Sequence, residues 1–287
     1  LDVGFARLIR ELSEEQGERP HPLVLLLAAL VSHQVGRGHV CVDLAHLLAD
    51  AGHTLSLPPE ESVYEPLTGS DTGEPDQPKP AEVLAFVTLS ECLSILVKAC
   101  AVSDCSHTTP LVLNETRLYL RRFWRYEQRI AEGIMQRLAL PSALADPESG
   151  PAQTLSRALG QLFQSSEPVD YQKLACALAA RNRFAVIMGA PGTGKTTTVV
   201  NLLAAVQAVA GESPERAGRK YRIRLAAPTG KAAARLNESI GGAVSRLPLA
   251  ELPGNVELAD IPTRVTTLHR LLGSRPDTRK FRHNRDN

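Results

Sequence analysis

The eight residues Gly189-Ala190-Pro191-Gly192-Thr193-Gly194-Lys195-Thr196 match GxxxxGK[ST] at every fixed position. They stand between an apolar run at 184–188, which predicts a strand, and a run at 195–210, which predicts a helix. Gly189, Gly192 and Gly194 let the chain curl tightly and approach a phosphate with no Cβ in the way. The helix that opens at Lys195 presents unpaired amides and the positive end of its dipole. In this arrangement Lys195 and Thr196 form the candidate catalytic pair. The ammonium bridges β- and γ-phosphates, and the hydroxyl ligates the Mg2+ that accompanies a nucleotide. Thr193 and Thr197 complete the set assigned to the nucleotide.

Just over twenty residues before Lys195 stands Asp170-Tyr171-Gln172. A glutamine amide donates to adenine N7 and accepts from N6, the match used in base readout. Gln172 is therefore a candidate adenine reader that selects ATP. The alternative is an ordinary glutamine on a helix surface.

A second Gly-Lys follows in Leu-Ala-Ala-Pro-Thr-Gly-Lys-Ala, from Leu225 to Ala232. It lacks the first glycine of the pattern, where Leu225 stands, and Ala232 replaces the Ser or Thr. It is still a strand, predicted over 223–227, that runs into a helix beginning at Gly230. Thr229 and Lys231 then lie at the C-terminal edge of a sheet, where open α/β sheets hold ligands. A hydroxyl, free amides and an ammonium at a helix start suit a phosphodiester backbone. Thr267 and His269 begin a third such helix in a basic stretch.

Strand alternating with helix in the C-terminal half predicts a parallel sheet. The fold class is an α/β P-loop NTPase with an incomplete RecA-like parallel sheet, preceded by a mainly α-helical N-terminal domain. The expected division is a helical domain over 1–140, a linker over 141–168 and a first RecA-like motor domain over 169–287. In the N-terminal part, helices are expected over 1–12, 23–35 and 80–99. Residues 68–80 read as an exposed loop, and a short extended piece should lead from Val40 into a helix. A long amphipathic helix starts at Leu118, with Phe123, Tyr126, Ile130 and Ile134 as a core stripe and the arginines beside them solvated.

The net charge of +1 conceals an asymmetry. Residues 1–180 carry net −9 and residues 181–287 net +10, which points the basic half toward a polyanion. The run at 23–31 is too short to span a bilayer, so no membrane is expected and the expected compartment is the cytoplasm. The five cysteines lack a paired CxxC and read as free thiols, not metal ligands.

Taken together, these motifs resemble superfamily 1 helicases and, within them, the RecD family, the alpha subunits of bacterial exodeoxyribonuclease V. Asp-Tyr-Gln-Lys-Leu-Ala from Asp170 is similar to the family's adenine segment, and the loop at 189–196 to its motif I. The stretch 225–240 is similar to motif Ia, and Thr-Thr-Leu-His-Arg-Leu-Leu-Gly from Thr266 to the next DNA-contacting motif. Segments 38–48 and 118–127 resemble the family's N-terminal domain. The resemblance implies an ATP- and Mg2+-dependent 5′-to-3′ DNA motor that assembles with RecB-like and RecC-like subunits at double-strand breaks. It also implies that the N-terminal domain docks the motor, and that Thr229, Lys231, Thr267 and His269 touch single-stranded DNA.

Hydrolysis also requires acids at the end of a second strand, to bind Mg2+ and orient water. No such pair is present. Asp260 follows Val-Glu-Leu-Ala but precedes Ile261-Pro262, a poor buried strand. The chain is therefore expected to be the N-terminal part of a longer protein, binding nucleotide but turning it over little by itself. Two other readings stay open: a different P-loop ATPase or kinase, and a docking module with a relic NTPase half.

Overall fold

The computed structural model describes residues 2–55, 80–164, 169–275, 277–278 and 281–284. The loop expected at 68–80 falls almost wholly outside them. The chain divides into two compact units, Leu1–Glu132 and Gly133–Asn287.

The first unit begins with α1 (Asp2–Glu15) and α2 (Pro22–Gly36). Pro22 opens α2 where a missing N–H costs nothing, and His21 Nδ1 accepts from the Leu23 N–H at 3.2 Å. Leu27, Ala28 and Val31 of α2 are fully buried, with Ile9 of α1 among them. Next come β1 (Cys41–Asp43), α3 (Leu44–Ala49) and α4 (Ala51–Thr54). Asp43 Oδ1 caps α3 by accepting from the Ala45 N–H at 3.0 Å.

The single helix expected over 80–99 is two, α5 (Pro80–Leu84) and α6 (Leu89–Lys98). Thr88 breaks them apart: its backbone is extended, and its hydroxyl accepts from the Glu91 N–H as the cap of α6. Then follow β2 (Val102–Ser103), β3 (Leu111–Asn114) and β4 (Arg117–Leu120).

The first unit is mainly helical, as expected, and its short strands add a four-stranded sheet in the order β1-β4-β3-β2. The helix expected from Leu118 starts only at Arg121, because Leu118 and Tyr119 pair with Val42 and Cys41 and lie buried in β4. Helix α7 (Arg121–Leu138) also lacks its expected core stripe. No residue of it is buried, and Ile130 is 63% exposed. The division between the units falls within this helix, not in the expected linker.

In the second unit, part of the stretch expected as a linker is helical. Residues 150–162 form α8 (Gly150–Leu162), capped by Ser149, with Leu155, Ala158 and Leu159 buried. Helices α8 and α9 (Tyr171–Arg181) pack on α10 (Lys195–Glu212). Helix α10 is a core helix, buried on several sides through Val200, Leu203, Ala204, Ala205 and Ala208. Its C-terminal end is pinned by Glu212, which accepts from Thr154 Oγ1 at 2.6 Å and pairs with Arg157.

A parallel pair follows, β5 (Leu225–Ala227) and β6 (Val265–Thr267), joined through α11 (Gly230–Val244). Helix α12 (Leu268–Leu272) comes directly after β6. The strand expected at 184–188 is not formed. Its residues have no ladder partner among the described residues, and Val186 and Met188 are 68% and 87% exposed. An apolar run becomes a strand only when another strand satisfies its backbone groups.

Candidate nucleotide and polyanion site

The phosphate loop takes the shape its glycines allow. Gly192 and Gly194 sit at φ +82° and +77°, in the left-handed region. A Cβ on Gly189 would lie 2.6 Å from Thr193 Oγ1, so the loop closes on itself only because none is there. Thr193 Oγ1 donates to the Ala190 carbonyl at 2.9 Å and tightens the turn. Lys195 Nζ donates to the carbonyls of Gly189 and Ala190, both at 2.6 Å. The ammonium thus lies inside its own loop, held by oxygens a phosphate would replace with full negative charge.

How α10 begins separates this loop from the starts of α11 and α12. Gly194 is its N-cap and supplies no side-chain hydrogen bond. In α11, Thr229 Oγ1 accepts from the Ala232 N–H, and in α12 Thr267 Oγ1 accepts from the Arg270 N–H, each at 3.2 Å. The first turn of α10 therefore keeps amides that its own side chains leave unmet, which is what an anion requires. The Thr196 hydroxyl has no protein hydrogen bond among the described residues, so it is free to ligate a cation. Thr197 is exposed on the same turn.

Gln172 is brought to this loop. Asp170 caps α9 by accepting from the N–H groups of Gln172 and Lys173, both at 2.9 Å. From that fixed turn the Gln172 amide donates to the Thr193 carbonyl at 3.1 Å. One helical turn further on, the buried thiol of Cys176 donates to the Thr198 carbonyl at 3.2 Å. Burial pushes the Cys176 thiol up to about 12.

The four residues singled out for a polynucleotide gather at one edge. Ala227 and Thr267 are register partners in the parallel pair, so both strands end together. Thr229 and Lys231 follow one strand, and Thr267 and His269 the other. The two threonine oxygens accept in capping, which leaves each O–H available to donate. Lys231 is exposed and makes no ion pair among the described residues. The His269 ring meets Phe281 edge-on at 5.9 Å.

Asp260, set aside above as a partner for Mg2+, is held by local contacts. It ends a short 3-10 turn, accepts from the Glu257 N–H at 2.8 Å and lies 3.9 Å from Lys220 Nζ.

Sequence reasoning missed two polar anchors. Asn237 Oδ1 accepts from the Val265 N–H at 2.6 Å and closes that group of β6. Gln207 is 1% exposed, accepts from the Tyr221 N–H and donates to the carbonyls of Tyr221 and Asp260. No spacing rule marks either residue, since each acts on a backbone group brought close only by folding. A groove of about 1160 Å³ has Arg224 and Arg264, just before β5 and β6, and Arg270 of α12 on its wall.

A glycine-curled loop, an uncapped helix behind it and a glutamine fixed against it define the nucleotide-binding half of a P-loop NTPase. In agreement, residues 172–287 match a family described as AAA domain, and residues 1–119 match the N-terminal domain of RecBCD enzyme subunit RecD. The RecD subunit of Mycolicibacterium smegmatis is 36% identical over all of this chain and 42% of its own length. That of Mycobacterium tuberculosis is 34% identical over all of this chain and 40% of its own. The ATP-dependent RecD2 DNA helicase of Deinococcus radiodurans is 32% identical over 59% of this chain and 18% of its own length. The chain is RecD-like over its whole length and is similar to the N-terminal portion of these proteins. It spans about two-fifths of the length of these RecD relatives.

Proposed function

We propose that this chain carries the nucleotide-binding half of an ATP-driven DNA helicase subunit, one that works with RecB-like and RecC-like subunits in break repair and recombination. The observation that carries this reading is the contrast between helix starts. The amides of α10 are left open behind a Walker loop, while α11 and α12 are closed by their own threonines. An anion is favoured at the first and a lighter backbone contact at the other two.

In this reading Gly189, Gly192, Thr193, Gly194, Lys195, Thr196 and Thr197 surround the triphosphate, and Gln172 reads adenine. Thr229, Lys231, Thr267 and His269 meet single-stranded DNA. Lys195 leaves its two carbonyls for the phosphates, and Thr196 turns its hydroxyl to Mg2+, which neutralises phosphate charge when bound. The parallel pair of β5 and β6, joined through α11, supports a RecA-like sheet.

The test is nucleotide-dependent ATPase activity of the intact protein with and without single-stranded DNA. DNA-stimulated turnover that Lys195→Ala abolishes supports the reading. Turnover indifferent to DNA favours another P-loop ATPase or kinase.

A further inference from the structure

We propose that Arg224, Arg264 and Thr266 form an oxyanion site, and that the groove they line takes an extended segment of a partner polypeptide carrying carboxylates between apolar side chains. The site uses none of the residues assigned to nucleotide or DNA, and the proposal does not rest on the nucleotide reading.

The register of the parallel pair sets two positive charges side by side. Leu225 stands opposite Val265, so Arg224 and Arg264, each one residue earlier, are neighbours across the pair. Both are exposed, and neither guanidinium has an ion pair or hydrogen bond among the described residues. Like charges at matched positions on adjacent strands repel, and no described carboxylate pairs with either. Arg270 adds a third guanidinium without such a partner to the same groove.

An orphaned hydroxyl lies beside them. Residues two apart on a strand share a face, so Thr266 follows Arg264. Thr266 Oγ1 is buried and has no hydrogen-bond partner among the described residues, and Thr266 lines the groove. Buried hydroxyls are normally paired. An oxyanion seated here accepts from the hydroxyl and from both arginines, and so settles all three groups at once.

The rest of the wall decides what carries the oxyanion. Ile223, Leu225, Leu258 and Leu271 line the groove, and Leu258 is 59% exposed. Glu257 lines it too, its side chain accepting from the Asp260 N–H. A polynucleotide brings an unbroken row of phosphates, which Glu257 repels and an apolar wall does not serve. An extended peptide turns alternate side chains to opposite sides, so carboxylates reach the arginines while apolar groups meet the leucines. The groove of about 1160 Å³ also exceeds the ~300–1,000 Å³ usual for a small-molecule site, which suits a chain segment.

The experiment is fluorescence anisotropy of the intact protein with two labelled probes: a hexapeptide of alternating leucine and glutamate, and a single-stranded oligothymidylate. Unfolding midpoints are measured on the same samples. The unsubstituted protein should bind the peptide. Arg224→Gln and Arg264→Gln should each weaken that binding by about 10- to 150-fold, as expected for losing a charged hydrogen bond. Neither should lower the midpoint, because each relieves the repulsion of the pair. Thr266→Val keeps the shape and removes the orphaned hydroxyl, so its midpoint should hold or rise while peptide affinity falls about two- to tenfold. Oligothymidylate binding should be little changed in all three, whereas Thr229→Asp should weaken it and spare the peptide. A peptide that does not bind the unsubstituted protein overturns the proposal. So do arginine and threonine variants that bind it undiminished, and variants whose midpoints fall along with affinity, which would make these residues structural. Arginine variants that lose the oligothymidylate and keep the peptide would make the groove a nucleic-acid surface and overturn it as well.

Discussion

The thiol of Cys176 on α9 donates to the Thr198 carbonyl on α10 at 3.2 Å, inside the core of the second unit. Burial raises this thiol to about 12, well above the ordinary value of 9.0. The folded state therefore holds its proton at a pH where the unfolded state has lost it. Stability from this group is fully present below pH 9 and declines as pH rises from there toward 12. The slope is ~1.4 kcal/mol per pH unit for one proton. Urea unfolding of the intact protein between pH 8 and 10.5 measures it, and Cys176→Ala should flatten the slope.

Lys195→Ala should leave the unfolding midpoint nearly unchanged, because its ammonium touches only the loop that it serves. Binding of Mg-ATP should weaken by about 30- to 150-fold, as expected for losing charged hydrogen bonds of ~2–3 kcal/mol. Thermal scanning and calorimetry on the same sample separate the two effects.

Thr229 and Thr267 each combine a cap with a free O–H. Thr229→Ala should cost about 1 kcal/mol of stability. Thr229→Asp keeps the capping oxygen and should hold stability near that of the unsubstituted protein. It places a negative charge at the proposed DNA edge, so affinity for single-stranded oligonucleotide should drop. Fluorescence anisotropy at several salt concentrations reads this, with a log–log slope of about −0.7 per phosphate contacted. Stability lost with Asp, or DNA affinity unmoved, would contradict the double role.

Asn237→Leu removes the acceptor for the Val265 N–H in a half-buried setting. Leaving that group unsatisfied should cost about 1–3 kcal/mol. Chemical denaturation of the variant gives the number, and Asn237→Asp, which keeps an acceptor, should recover most of it.

Local chemistry made much of the second unit legible. The helices at Tyr171, Lys195, Gly230 and Leu268 all announce themselves through a cap or a glycine just before them. Gln172 was legible only as an amide upstream of the loop, and its bond to Thr193 O was not. Long-range pairing was not legible. Val102, Leu111 and Leu118 are ordinary apolar residues in short runs, and only their mutual pairing makes them strands. The opposite error occurred at 184–188, where a strand-like run lacks a partner. Helix α7 misled for a third reason: a stripe at helical spacing shows which face is apolar, not that anything covers it.

Pairing in the first unit also dictates an order of assembly. Strand β1 finds its neighbour in β4, through Cys41 with Tyr119 and Asp43 with Arg117, across most of that unit's length. During synthesis, α1 and α2 emerge early and can begin to collapse around Ile9 and Leu27, yet β1 must wait for β4. At 5–20 residues per second, about 4–15 s pass between the two leaving the ribosome. For those seconds Cys41–Asp43 is an open strand edge on a half-made protein, and the nascent chain depends on nothing else claiming it first.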